Sequence, residues 1–256
     1  MKIEVLISTL NDGIFNIKFN SKFRYLIIHQ ISNNKDYHEY TNTFANNIVY
    51  IPSSTLGLSI SRNIALSHAS GDFLWIMDDD VTILENSLEN LLANIERYPD
   101  IDMFVLNHTS NPEIKNDNIK YKNDFLLNKL SSMSVSSIDI LLKRTTIGDI
   151  KFNESFGLGS SYPSGEEYIF CNEYLNSKKK ILRLKNYYSY HPDISSGSDF
   201  YSSPRKIETK LRMFILCFGK CIGYMLFIAF IIKKTNIITK NKSWKHVLHC
   251  LNQMKK

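Results

Sequence analysis

The chain contains neither a Gly-x-Gly-x-x-Gly nor a Walker P-loop, so the dinucleotide fingerprint and the P-loop kinase reading are both without support. Its four cysteines, Cys171, Cys217, Cys221 and Cys250, show no Cys-x-x-Cys pair and no zinc-ligand spacing. That pattern implies a reducing compartment without structural disulfides. No zinc-finger or RNA-binding signature accompanies the positive charge, so nucleic acid is not an expected partner. The opening Met1-Lys2-Ile3-Glu4-Val5 goes straight into strand pattern, with an apolar run too short and too soon interrupted for a signal peptide. Acids are scarce in one region: Arg205 to Lys256 holds 12 Lys+Arg and the single acid Glu208. The remainder holds 19 basic and 24 acidic residues, so a mildly acidic body carries a strongly basic tail.

What is present suits one globular domain, or one domain plus an extension. The 256 residues are 43% hydrophobic, and 12% aromatic content is ample for a core. Apolar runs at Ile3–Ser8, Tyr25–His29, Ile48–Ile51, Phe73–Met77 and Met103–Leu106 read as buried strands, the third stopped by Pro52. Between them, 57–68 reads as a helix with Ile60, Ile64 and Leu66 inward. Thr82 and Glu85 form a capping-box pattern ahead of Leu84, Leu88, Leu91, Leu92 and Ile95, ended by Pro99. Strand–helix alternation argues for a parallel α/β sheet. Further on, Ile138–Leu142, Ile181–Leu184 and Tyr187–Tyr190 return to strand pattern, and Glu166-Glu167 opens a helix to about Leu175.

The stretch that organises the chain is Asp78-Asp79-Asp80, directly after the Phe73–Met77 run. Three carboxylates at the end of a buried strand repel one another and lose hydration. A divalent cation such as Mg2+ or Mn2+, itself holding a diphosphate, removes both penalties. In open α/β sheets, ligands bind beyond the carboxyl ends of the strands. The competing reading of the triplet is a solvated acidic turn capping the next helix. For Glu166-Glu167 it is a pair of acids favoured at a helix start by the macrodipole.

Six segments occur in order: Ser8-Thr9-Leu10-Asn11, Gly57-Leu58-Ser59-Ile60-Ser61-Arg62-Asn63, Asp78-Asp79-Asp80-Val81, Phe152-Asn153-Glu154-Ser155-Phe156-Gly157-Leu158-Gly159, Gly165-Glu166-Glu167 and His191-Pro192. This order resembles the family-two glycosyltransferases with the GT-A fold, the bacterial type that builds surface polysaccharides. The resemblance covers roughly Lys2 to Pro192. It implies an inverting hexosyltransferase on a Rossmann-like mixed sheet, with a catalytic domain over 1–200. Within it, 1–107 is the nucleotide-sugar half and 108–200 the acceptor half. It also implies a nucleotide-sugar donor, preferably UDP-linked, and Mn2+ or Mg2+ as cofactor. By the same resemblance Asp80 ligates the metal, Asp78 contacts ribose or a metal-bound water, and His191 is a third metal ligand. Thr9, Asn11, Arg62, Asn63 and Asp79 fall on the donor side. Glu167 matches the usual base and Glu166 the usual acceptor-hydroxyl ligand, and Phe156, Gly157 and Tyr162 fall on the acceptor side. Two departures stand out. His29-Gln30 occupies the place of an acid that usually reads the base, so Gln30 substitutes as an amide partner. The pair is Glu-Glu rather than Glu-Asp.

The tail 201–256 is read as a membrane-associating helical extension. Leu211 to Ile232 is apolar apart from Arg212, Gly219, Lys220 and Gly223, long enough for a bilayer span. Both flanks are basic, which opposes crossing. Trp244, Val247, Leu248 and Leu251 share one helical face. The expectation is a helical hairpin in the cytoplasmic leaflet, near a lipid-linked glycan acceptor. Its alternatives are a single transmembrane helix within 211–232, or packing onto the catalytic body. Two rival functions are a nucleotidyltransferase and a non-catalytic sugar- or nucleotide-binding module at the membrane. The first needs a glycine- and arginine-rich N-terminal loop that Leu6 to Gly13 lacks; the presence of Glu166 and Glu167 argues against the second.

Overall fold

The computed structural model describes residues 1–115, 118–192 and 199–253. The first half runs β1 (Ile3–Leu10), β2 (Arg24–Gln30), α1 (His38–Thr41), β3 (Ile48–Ser53), α2 (Leu58–His68), β4 (Phe73–Asp78), β5 (Thr82–Ile83), α3 (Ser87–Arg97) and β6 (Met103–Val105). It continues with β7 (His108–Thr109), β8 (Phe125–Leu126), β9 (Ile140–Lys143), α4 (Glu166–Asn176), β10 (Ile181–Arg183) and β11 (Ser189–Tyr190). Four helices close the chain: α5 (Pro204–Phe218), α6 (Lys220–Lys233), α7 (Thr235–Lys240) and α8 (Trp244–Gln253).

Eight strands form one sheet in the order β3-β2-β1-β4-β9-β6-β10-β8. Strands β1 to β4 are mutually parallel, whereas β9 enters antiparallel to both β4 and β6. The sheet is therefore mixed: β6 and β10 run in the same direction as β1–β4, so the parallel reading of the alternation holds through β6, whereas β9, between β4 and β6, and the edge strand β8 run the other way. Side chains of a strand alternate between faces, and both faces here are covered. Val5, Ile7, Ile27, Trp75 and Met77 pack with Leu91 and Ile95 of α3 on one side. Leu6, Leu26, Leu74 and Ile76 pack with Ala65 of α2 and with Phe170 and Tyr174 of α4 on the other. Glu4 is buried within β1, its carboxylate accepting hydrogen bonds from the Ser70 and Gly71 amides at 2.6 and 2.8 Å.

Several local expectations are corrected. Pro52 does not stop β3; it pairs with His29, and β3 is an edge strand, where a missing N–H on the outer side costs nothing. The Thr82/Glu85 capping box is not made. Thr82-Ile83 instead pairs antiparallel with β11 in a small β5-β11-β7 sheet, and α3 starts at Ser87, whose hydroxyl donates to Tyr188 O at 2.8 Å. The fully buried residues of α2 are Ser59, Ser61, Arg62 and Ala65, with the Ile60, Ile64 and Leu66 side chains only partly covered. Small polar residues face inward there because that helix abuts the ligand end of β1, where the Ser61 hydroxyl donates to Ser8 Oγ at 2.9 Å.

The apolar run 211–232 is not one helix. Gly219, at φ 77°, divides it into α5 and α6, which fold back so that Phe230 returns to Phe214 and Phe200. Among the described residues no helix is long and apolar enough to cross a membrane. Helix α5 packs on α4, and Ile207, Leu211 and Phe214 share a core with Phe156, Tyr168 and Ile169. The proposed single face of α8 is split: Val247 and Cys250 are buried, Leu251 is partly covered, and Trp244 and Leu248 are exposed. Helix α6 keeps Ile222, Met225, Ile228 and Ile232 exposed along one side.

Candidate active site

Parallel pairing of β1 with β4 places Ser8 beside Asp78 at the carboxyl end of the sheet. The next residues turn upward into the same space. Thr9 donates its hydroxyl to Asp79, and Gly13 must lack a side chain because a β-carbon there would collide with the Asp79 carboxylate. Burial, followed by the neighbouring Asp78 and Asp80 charges, raises the Asp79 pKa against the opposing Thr9 hydrogen bond. The triplet is thus three chemically different acids. Asp79 points into the β1 loop, Asp78 toward α2, and Asp80 toward solvent.

The small sheet carries His191 to Asp80. Tyr190 pairs with Thr82, and the next amide, His191 N, donates to Thr109 O at 2.9 Å. His191 Nε2 then lies 3.3 Å from Asp80 Oδ1. That hydrogen bond lowers the Asp80 pKa and raises the His191 pKa. A second imidazole stands beside it: the His108 and His191 rings are 5.8 Å apart, and His108 Nδ1 is 3.0 Å from the buried Asp139. His108, Thr109, Ser110, Lys120, Tyr187 and His191 border a cleft of about 340 Å³.

Arg62 joins the end of β4 to the start of α4. Its guanidinium is fully buried, donates from Nη2 to Asp78 Oδ1 at 3.0 Å and to Ser137 Oγ at 2.9 Å, and from Nη1 to Glu166 Oε1 at 2.8 Å. Burial opposes its charge, but Asp78 and Glu166 more than offset this and its pKa is raised. The structural ion pair is therefore formed, and Arg62 holds acids rather than projecting as a free cation. The two glutamates separate in consequence. Glu166 is buried and committed to Arg62. Glu167 has no side-chain hydrogen-bond donor among the described residues; burial and the adjacent Glu166 push its pKa up to about 8, against the pull of Lys210 and Arg62. A group that titrates near neutrality and has no fixed partner is suited to take a proton. Glu166, by contrast, is held by Arg62.

Other predicted residues are placed as follows. Gln30 is buried, and its amide nitrogen donates to Thr55 O at 2.5 Å and Gly57 O at 3.3 Å, so Oε1 is left as an acceptor. Asn11 is bonded to Ser32 through both ends of its amide, bracing the first loop against the loop after β2. Asn63 is occupied by Phe152 and Glu154 and fixes the segment leading to Gly157. Phe156 is a core residue against Tyr162, their rings 4.8 Å apart. Gly157, at φ 102°, sits against Ser59 and Glu166, where a side chain would press on the Glu166 carboxylate. Sequence reasoning passed over Ser137, Asp139, His108 and Lys210. None carries a motif, and each arrives from an element distant in the chain.

Among the described residues no three His, Cys, Asp or Glu side chains form a metal cage. Asp80 and His191 nevertheless present a carboxylate and an imidazole at an open mouth. That donor set fits a divalent cation that takes the rest of its shell from substrate phosphates and water. Asp78 is turned to Arg62 by one oxygen and is not grouped with them.

Comparison with known proteins bears on the family and the fold. The Minor teichoic acid biosynthesis protein GgaB of Bacillus subtilis (strain 168) is 24% identical over 169 residues, covering 62% of this chain and 18% of that protein. The chain therefore spans under a fifth of that relative's length. The crystal structure of S. aureus TarS 1-349 superposes with a TM-score of 0.62 at 17% identity, over 99% of this chain and 80% of that one. Its complex with UDP-GlcNAc superposes at 0.58 and 19% identity, over 84% and 67%. The mannosyltransferase PcManGT from Pyrobaculum calidifontis, in complex with GDP-Man and Mn2+, superposes at 0.55 and 12% identity, over 83% and 63%. Residues 8–146, more than half of the chain, match Glycosyl transferase family 2, and with the fold shared by these structures the protein belongs to that family as a GT-A glycosyltransferase.

Proposed function

We propose that the protein transfers a sugar, with inversion, from a nucleotide-diphosphate donor to a hydroxyl of a lipid-linked glycan, in synthesis of a surface polymer of teichoic-acid type. The observation that carries this reading is the Arg62 bridge. One buried guanidinium reaches both Asp78, at the end of β4, and Glu166, at the start of α4. The donor-side and acceptor-side acids are therefore joined through one buried side chain. The polymer class is supported by the likeness to GgaB, and a UDP-linked donor by the likeness to the TarS complex.

Gln30 reads the nucleobase. Its amide orientation is fixed by two backbone carbonyls, so Oε1 accepts a hydrogen bond from the base. Uracil and guanine offer a ring N–H to such an acceptor, whereas cytosine and adenine do not. Thr9 and Asp79 form the floor under the diphosphate. Asp80 and His191 would hold Mn2+ or Mg2+, which would supply Lewis-acid neutralisation of the departing diphosphate. Glu167 accepts the proton of the attacking hydroxyl, a contribution of about 10²–10⁴ in rate. Glu166, held by Arg62, orients that hydroxyl. A position of the site at the cytoplasmic membrane face is the reading supported by the exposed apolar side of α6 and the basic residues around it.

The test is a thermal-shift screen of nucleotide sugars with and without Mn2+, followed by an NMR assignment of the product anomer. Donor binding raises Tm by mass action. Asp80→Ala is expected to abolish the Mn2+-dependent shift. Glu167→Gln is expected to keep the shift and lose turnover by about 10²-fold or more. Normal turnover by Glu167→Gln removes the base assignment; a retained anomeric configuration removes inversion.

A further inference from the structure

Helix α5 lies beyond the residues matched to the family, yet it grips the loop that delivers the acceptor-side acids. Arg205 Nε donates to Ser161 O at 2.5 Å, and Lys210 Nζ donates to Ser164 Oγ at 3.2 Å. Met213 packs so closely on Gly165 that a β-carbon there would lie 2.8 Å from its sulfur. Gly165, at φ 95°, is the residue immediately before Glu166. Three successive contacts from one helix therefore fix the start of α4 from outside.

Lys210 is the second cation facing Glu167. The charged groups around Glu167 are Glu166 on its own helix, Arg62 from α2 and Lys210 from α5, with the Cys171 thiol one turn along α4. Arg62 is already engaged by Asp78 and Glu166, so its charge is largely answered. Lys210 is bonded to a neutral hydroxyl, and the acids attract it from across the pocket.

We propose that Lys210 is a positioning residue of the transfer reaction, carried by the C-terminal helix to hold Glu167 in a state from which it can accept the acceptor's proton. The inference rests on the glycosyltransfer reading above and adds α5 to the active site. Burial lowers the Lys210 pKa and, with the Glu166 charge, raises that of Glu167, while the attraction between Lys210 and Glu167 opposes both shifts and favours the charged form of each. With Lys210 gone, the Glu167 carboxylate faces Glu166 with only the committed Arg62 to balance it.

The experiment compares wild type, K210M and K210R in the full chain by two readouts. One is the pH dependence of kcat/KM. The other is titration of the Glu167 carboxyl by ¹³C NMR, assigned by its disappearance in E167Q. K210M is expected to move both the activity limb and the NMR titration to higher pH by about one unit. That shift is about a tenfold loss at neutral pH, with donor KM and the donor-induced thermal shift unchanged. K210R is expected to restore both. An unmoved Glu167 titration in K210M overturns the inference and leaves glycosyl transfer intact. So does a loss that K210R fails to rescue, or one that falls on donor KM. A wild type that transfers no sugar overturns the functional reading instead, and the NMR comparison still reports whether Lys210 governs Glu167.

Discussion

Adjacent residues in this protein have opposite chemistry because adjacent side chains meet different surroundings. Glu166 turns to a buried guanidinium 2.8 Å away, while Glu167 has no side-chain donor among the described residues and meets the repelling charge of Glu166 and the opposing charges of Lys210 and Arg62. The consequence is a pH signature. As the proposed base, Glu167 must be ionised to work, so kcat/KM is expected to rise with pH and level off above about 8. Stability should run the other way. The Glu167 pKa in the folded chain lies above its ordinary 4.5, so the folded state holds an extra proton between those values. That stabilisation is full below pH 4.5 and is lost as pH rises through about 8. Glu167→Gln is accordingly expected to flatten this fall and to exceed wild type in stability at pH 9, measured by urea unfolding at several pH values. A fall as steep in the variant as in wild type would show that Glu167 is not the group responsible. Asp78, Asp79 and Asp80 obey the same rule, since a row of identical residues is divided among Arg62, Thr9 and His191.

At the scale of elements, the site is assembled by strand ends and by one unusually close helix pair. The β5-β11-β7 sheet has two residues per strand, yet it is what carries His191 to Asp80. The α5–α6 hairpin depends on Gly219 for its corner and on Gly223 for its closeness: a β-carbon at Gly223 would stand 2.7 Å from the Ile215 backbone. Backbone cannot retreat as a side-chain tip can. Gly223→Val is therefore expected to cost about 1–3 kcal/mol through overpacking, read from the urea midpoint. Because α5 positions the α4 start, turnover should fall more than donor binding. A variant with an unchanged midpoint would mean that the two helices separate freely.

The whole molecule is electrically and chemically two-ended. A mildly acidic body holds the pocket, and a basic tail presents Ile222, Met225, Ile228 and Ile232 on one exposed side of α6, with Lys220 and Lys233 at its ends. Apolar surface rimmed by cations is complementary to an anionic lipid surface. Full-length protein is expected to sediment with phosphatidylglycerol vesicles and less with neutral ones. I222E/M225E should weaken that binding at least about tenfold, each inserted side chain being worth about 1.5–3 kcal/mol. Equal sedimentation of variant and wild type would show that the exposed side of α6 is not a membrane contact. Much of this organisation is legible from order alone. The buried runs Ile3–Ser8 and Phe73–Met77, the acids that follow and the basic tail are local patterns, and the hydrophobic periods and charges that define them need no partner to be read. The inward face of α2 was misread because Ser61 and Arg62 are buried by what they bond, not by their own hydrophobicity. Lys210 and His108 were passed over because a lone cation or imidazole has no period. By itself the sequence determined the sheet's first half, the place of the aspartates and the glutamate pair, through patterning and desolvation cost. Only the tertiary structure decided which acid is paired and which is left to titrate, because burial and charge at a carboxylate are set by groups that converge on it from distant parts of the chain.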